Sequence, residues 1–150
     1  MADEVNSVAG WALVVAAERG RIRRELMAVQ RDLYVVGAML ASSRGPGGVA
    51  LAEDRIDGME ATIDNICTTL PEQTCLIVPG GCELAARLHV LRTVVRRAER
   101  GVVAAHTVCQ IECQPERIMR YFNRLSDLVF VLARLANKQA GIEDTPLDFS

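Results

Sequence analysis

The chain has 150 residues, with 19 acids against 17 bases for a net charge of −2. Half of it is hydrophobic, yet aromatics make up only 4%. That length fits one domain, an apolar mass of Ala, Val, Leu and Ile suits a helical bundle better than a β-sandwich, and the lack of basic excess argues against a general nucleic-acid binder.

In chain order, 3–19 is helical in composition, with Gly20 as its break. Ile22, Leu26, Val29, Leu33, Val36 and Leu40 then recur three and four residues apart, one apolar stripe on a helix. Ser43–Gly48 ("SRGPGG") reads as a loop, because its glycines and Pro46 together forbid a helix. Ile56, Met59, Ile63, Ile66 and Leu70 repeat the helical pattern. Leu70–Gly81 ("LPEQTCLIVPGG") interrupts it with a short apolar run, Pro79 and two glycines. A long stripe follows at Leu84, Leu88, Leu91, Val95, Ala98 and Val102. The last helix begins near Pro115, where a missing N–H costs little, and carries Ile118, Phe122, Leu125, Val129, Leu132 and Ala136. No alternating strand is convincing. The expectation is an all-α, five-helix up-and-down bundle with narrow seams, a single domain over 1–141 and a loosely held tail over 142–150 in which Leu147 and Phe149 are the candidates for docking. No apolar run approaches the roughly 20 residues of a membrane span, so no membrane partner is expected.

Five cysteines (Cys67, Cys75, Cys82, Cys109 and Cys113) include no CxxC pair, and no signal peptide is evident. Reduced thiols in a cytoplasmic protein are the expectation. Cys109 and Cys113 lie one turn apart and could form half a metal site, but no second pair completes a zinc set, and no metal site is expected. His89 and His106 are isolated and read as ordinary structural histidines.

The stretch Leu91–Arg100 ("LRTVVRRAER") holds four arginines and no lysine. On a helix, Arg92, Arg96, Glu99 and Arg100 form a stripe beside the seam, while Arg97 points elsewhere. A solvated face is one reading. Guanidinium groups suit bidentate contact with carboxylate or phosphate, and Arg92 and Arg96 abut seam positions, so partial burial is expected and with it a need for anions. Asp3, Glu4 and Asp127 are candidates within the chain. The last helix carries Arg120, Asn123, Arg124 and Asp127 along one polar edge. If the two edges converge, they make an arginine-rich cleft suited to a polyphosphate. Pro79-Gly80-Gly81 is either a turn that starts the helix sharply or an approach to its amides. Without GxxxxGKS/T or GxGxxG, the turn is favoured.

Together these segments resemble the PduO-type ATP:cob(I)alamin adenosyltransferases. "LIVPGGCELAARLHVLRTVVRRAER" and "YFNRLSDLVFVLAR" are similar to that family's Pro-Gly-Gly turn, its Arg-Arg-Ala-Glu-Arg helix and its Asn-Arg-Leu-Ser-Asp helix. "ADEVNSVAG" is similar to its Asp-Glu-Leu-Asn-Ser helix, and "ELMAVQRDLYVVGAMLA" to the next. The resemblance implies a homotrimer with active sites in clefts between subunits, and transfer of the 5′-deoxyadenosyl group of ATP, with Mg2+, to cob(I)alamin, releasing triphosphate. It implies that Arg96, Glu99 and Asn123 face ATP, that Arg96 and Arg92 are the catalytic arginines, and that Asp3 pairs with Arg92 across a subunit boundary at the cobalamin site. Arg100, with Arg97 and Asp127, supports the ATP cleft.

Two departures stand out. Typical members carry a Thr-Gly-Asp-x-Gly nucleotide loop ahead of the Asp-Glu-Leu-Asn helix. This chain begins at Met1-Ala-Asp-Glu, so the loop is expected to be absent, at a cost of about 1.5–3 kcal/mol per lost charge-assisted bond to ATP. The aromatic residue of the Pro-Gly-Gly turn, which in the family helps push off cobalamin's lower axial ligand, is Leu76 here. These departures keep a second possibility open, a weak or inactive paralogue acting as a corrinoid- or nucleotide-binding or scaffolding trimer.

Overall fold

The computed structural model describes residues 1–18, 20–41, 50–52, 54–109 and 114–147. The Ser43–Gly48 loop, Cys113 and Phe149 lie outside them. Five helices follow one another: α1 (Ala2–Leu13), α2 (Arg21–Ala41), α3 (Asp54–Cys67), α4 (Glu83–Cys109) and α5 (Pro115–Gln139). No strand occurs among the described residues; a single bridge joins Ile77 to Pro146.

Neighbouring helices meet as α1–α2, α2–α5, α5–α4 and α4–α1, a closed four-helix ring, with α3 laid on α5. Core residues come from every helix: Val5 and Ala9, Leu26 and Val29, Met59 and Ile66, Leu88 and Leu91, Phe122 and Leu125. Their spacings of three, four or seven residues keep each pair on one face. Although α2 and α3 are consecutive, they do not pack against each other. Long polar side chains span the gap instead: Arg55 Nε donates to Asp32 Oδ2 at 2.5 Å and Arg21 Nη1 to Asn65 Oδ1 at 2.6 Å. The Tyr121 hydroxyl, from α5, also donates to Asp32 at 3.3 Å.

Two expectations are corrected. The first helix ends at Leu13 rather than at the end of the helix-permissive stretch, and the amides of Val15, Ala16 and Gly20 each donate to the carbonyl three residues back. Arginines from elsewhere take up carbonyls of its last turn: Arg23 Nη1 donates to Leu13 O at 3.1 Å and Arg87 Nη1 to Trp11 O at 2.5 Å. Terminal carbonyls satisfied by side chains allow a helix to stop inside helix-permissive sequence. The narrow seam expected on the last helix is also too narrow. Val131–Asn137 are buried without interruption, because α5 is touched by α2, α3 and α4.

At its start, Gln114 adopts a left-handed φ of 49° and Pro115 occupies the first turn. Ahead of α4, the stretch 70–81 runs as an irregular segment clamped to the tail. Val78 N donates to Thr145 O and Leu147 N to Leu76 O, both at 2.8 Å.

Candidate active site

The polar edges of α4 and α5 meet at one point, between Glu99 and Asn123, while Arg120 and Arg124 turn to α3. Glu99 joins the two edges: Oε2 lies 2.7 Å from Arg96 Nη1 one turn back on α4, and Oε1 accepts from Asn123 Nδ2 of α5 at 3.0 Å. The Glu99 side chain is largely enclosed, whereas Arg96 is 46% exposed. Arg96 thus lies beside the seam about half covered, as a partly buried side chain. The guanidinium reaches past the apolar stripe into solvent and only its inner edge is held by Glu99. A half-neutralised arginine with a free outer edge can accept a second anion.

Charge along Leu91–Arg100 is divided among different partners. Arg97 turns to α1 and pairs with Glu4. Arg100 is exposed and enters no ion pair among the described residues. Arg92 is half-buried, its Cζ 5.6 Å from the centre of the Phe130 ring of α5. Its Nε is buried with no hydrogen-bond partner. A buried guanidinium N–H without an acceptor is costly, and the aromatic face compensates only in part. The cluster thus offers Arg92, Arg100 and the outer edge of Arg96 to external anions.

The internal anions proposed for these arginines are only partly used. Asp127 does not reach α4; Oδ2 accepts from Arg124 Nη1 at 2.9 Å. Arg124 Nε in turn donates to Glu60 of α3 at 2.8 Å. Arg124 therefore fastens α3 to α5, with Asp127 holding its guanidinium from within α5. Asp3 is exposed at the start of α1 and forms no ion pair among the described residues. It lines a small cleft of about 260 Å³ with Asn6, Ser7, Gly10, Gln30 and Tyr34. Within one chain Asp3 does not pair with Arg92.

Leu76 is 63% exposed in the segment ahead of α4. At the end of that segment, Gly81 has φ +100°, a value suited to glycine. A Cβ there would lie 2.0 Å from Asn137 Oδ1. The Pro-Gly-Gly sequence is thus a turn whose last glycine makes room for a carboxamide. Asn137 Oδ1 accepts from Cys82 N at 2.9 Å, and Nδ2 donates to Gly80 O and Asp144 Oδ1, each at 3.2 Å. Asp144 also accepts from Arg134 Nε at 2.7 Å. This polar knot escapes a reading of the sequence. The sole hint is Arg134 and Asn137 in an otherwise apolar run, "LVFVLARLAN".

His89 links the two regions. It is buried edge-on to Phe130 at a ring separation of 6.3 Å, and both ring nitrogens lack partners. Burial first, then the Arg92 charge, hold it below the usual histidine range, against the pull of Asp144. A neutral imidazole is the result. Among the described residues no His, Cys, Asp and Glu group could hold a metal ion, and Cys67, Cys75 and Cys82 are free thiols.

The arrangement provides cationic and amide groups side by side where α4 meets α5, with the Phe130 ring beside Arg92. It positions no nucleophile–base pair. Comparison with known proteins agrees with this chemistry. The cobalamin adenosyltransferase family profile matches residues 1–136. A corrinoid adenosyltransferase of Bacillus subtilis is 37% identical over 99% of this chain and 77% of its own length. One from Mycobacterium leprae is 39% identical over 90% and 74%. Among solved structures, a phenylalanine-to-alanine variant of the PduO-type ATP:corrinoid adenosyltransferase from Lactobacillus reuteri, complexed with cobalamin and ATP, superposes with a TM-score of 0.87 at 31% identity, over 97% of this chain and 81% of that one. With a matched profile over most of its length and relatives this similar, the chain belongs to the cobalamin adenosyltransferase family.

Proposed function

We propose that the protein transfers the 5′-deoxyadenosyl group of ATP to cob(I)alamin, releasing triphosphate. The observation that carries this reading is the Arg96–Glu99–Asn123 bridge between α4 and α5. It fixes a guanidinium and an amide side by side while leaving the guanidinium's outer edge and Arg100 for phosphate oxygens. Cob(I)alamin needs no protein base: the cobalt electron pair forms the Co–C bond at C5′ as the C–O bond to triphosphate breaks. The chain's residues align the two substrates and stabilise the leaving charge. In this reading Arg96 and Arg100 hold the triphosphate, with Mg2+ as counter-charge, and Glu99 and Asn123 orient the nucleotide.

The orphaned Nε of Arg92 and the unengaged Asp3 carboxylate support assembly. Each lacks in one chain what the other carries, so Asp3 of a neighbouring copy completes Arg92 in a homotrimer and the corrinoid lies at that boundary, near Leu76. Free thiols and a strongly reducing substrate suit the cytoplasm. No helix among the described residues is long and apolar enough to cross a membrane.

The test is anaerobic incubation with ATP and chemically reduced cobalamin, following loss of the Co(I) absorbance. Turnover is expected; an intact oligomer without turnover overturns the reading. Arg96→Ala should lower the rate by at least about 10- to 150-fold, the equivalent of one charge-assisted contact of about 1.5–3 kcal/mol. An unchanged rate would remove Arg96 from the phosphates.

A further inference from the structure

The turn that carries Leu76 is held at both ends. Its outer edge pairs with the tail through Val78 and Thr145 and through Leu76 and Leu147. Its inner end is held by Asn137, which is 3% exposed and whose carboxamide touches Gly80, Cys82 and Asp144. Both amide hydrogens have acceptors and the oxygen has a donor, so little freedom remains. Asp144 belongs to the same tail, and Arg134 ties it back by Nε while Nη2 donates to Pro71 O at 2.8 Å, where the irregular segment leaves α3. A cavity of about 500 Å³ opens between segment and tail, bordered by Cys75, Ile77, Arg134, Asp144 and Pro146.

Asn137 and Asn123 lie on the same rigid helix. Fourteen residues at 1.5 Å each separate them by about 21 Å. The N-terminal half of α5 meets Glu99 at the nucleotide side, and its C-terminal end grips the turn bearing Leu76. A fully satisfied buried polar network specifies a single geometry.

We infer that Asn137, with Asp144 and Arg134 behind it, is a positioning residue for the reaction: it sets the Leu76 turn and the tail at a fixed distance from the nucleotide side of α5. The inference rests on the proposed adenosyltransfer for its kinetic consequence but not for the lock itself. Asn137→Asp keeps the shape and removes both N–H donors, placing a second carboxylate against Asp144. Asp144→Asn weakens the grip from the tail side while leaving the sequence of α5 unchanged. Both variants should raise KM for cob(I)alamin about tenfold or more and leave KM for ATP within about twofold. Adding Asp144→Asn to Asn137→Asp restores a donor facing an acceptor and should recover part of the loss.

Hydrogen exchange supplies a readout independent of turnover. The Val78, Cys82 and Leu147 amides should exchange at least about tenfold faster in Asn137→Asp, with those around Glu99 unchanged. Electron paramagnetic resonance of bound cob(II)alamin should show a changed fraction with its lower nitrogen ligand attached. Equal losses for both substrates would reduce Asn137 to a structural role and overturn the inference, as would wild-type exchange and corrinoid kinetics in both variants. Should the unmodified protein show no turnover, the proposed function fails, and accelerated or unaltered exchange still decides whether the lock exists.

Discussion

Glu99→Gln separates the structural from the chemical role of the bridge between α4 and α5. Glutamine keeps the length and one carbonyl acceptor. It also turns an N–H pair toward either Arg96 Nη1, now 2.7 Å from Oε2, or Asn123 Nδ2, 3.0 Å from Oε1. Donor then faces donor on one side. For stability, the Arg96 pair is an i,i+3 contact with a partly exposed partner, so it contributes only about 0.2–0.5 kcal/mol. The half-buried bond from Asn123 adds about 0.5–1.5 kcal/mol. A net loss of about 1–2 kcal/mol lowers Tm by about 2–8 °C in a chain of this size. Turnover should suffer more, because Arg96 and Asn123 lose their common anchor: about 10- to 100-fold in kcat/KM for ATP, or about 1.4–2.7 kcal/mol. Thermal melts by circular dichroism and anaerobic Co(I) absorbance assays measure the two effects. A lowered Tm with a rate within about twofold of wild type would make Glu99 a clamp between helices and refute its part in the site.

Two further outcomes follow from the structure. Burial raises the Asp32 carboxyl above its ordinary range, with Arg55 and Tyr121 opposing. A raised folded-state value means that its contribution to stability is full below the unfolded value and fades as pH rises through the folded one. The Tm difference between wild type and Asp32→Asn should therefore move in favour of wild type as pH falls from 7 toward 4; a pH-independent difference would contradict the shift. For assembly, Asp3→Ala and Arg92→Ala should each be nearly inactive. Mixed and reassembled in equal amounts, they should recover about a quarter of wild-type activity, since about three-quarters of random trimers are mixed and each holds one intact Asp3–Arg92 boundary. Mixed trimers without recovery would place both residues in the same chain's site.

The helical periods of Ile22–Leu40, Ile56–Leu70 and Leu84–Val102 were enough to determine the helices, because burying one face is a local consequence of spacing. The choice of arginine over lysine in Leu91–Arg100 likewise marked a stretch suited to carboxylates, and Glu99 and Glu4 meet two of its arginines. Tertiary structure decided which arginine is left for a ligand: Arg97 meets Glu4 across α1, Arg96 meets Glu99 while staying half in solvent, and Arg92 keeps an orphan N–H beside Phe130. It also decided that Asp127 pairs with Arg124 on its own helix and that Asn137 grips a turn 55 residues away in sequence. Periodicity reports the face on which a side chain lies. The partner that closes a hydrogen bond there is set by how helices stack, and that depends on contacts far apart in the chain.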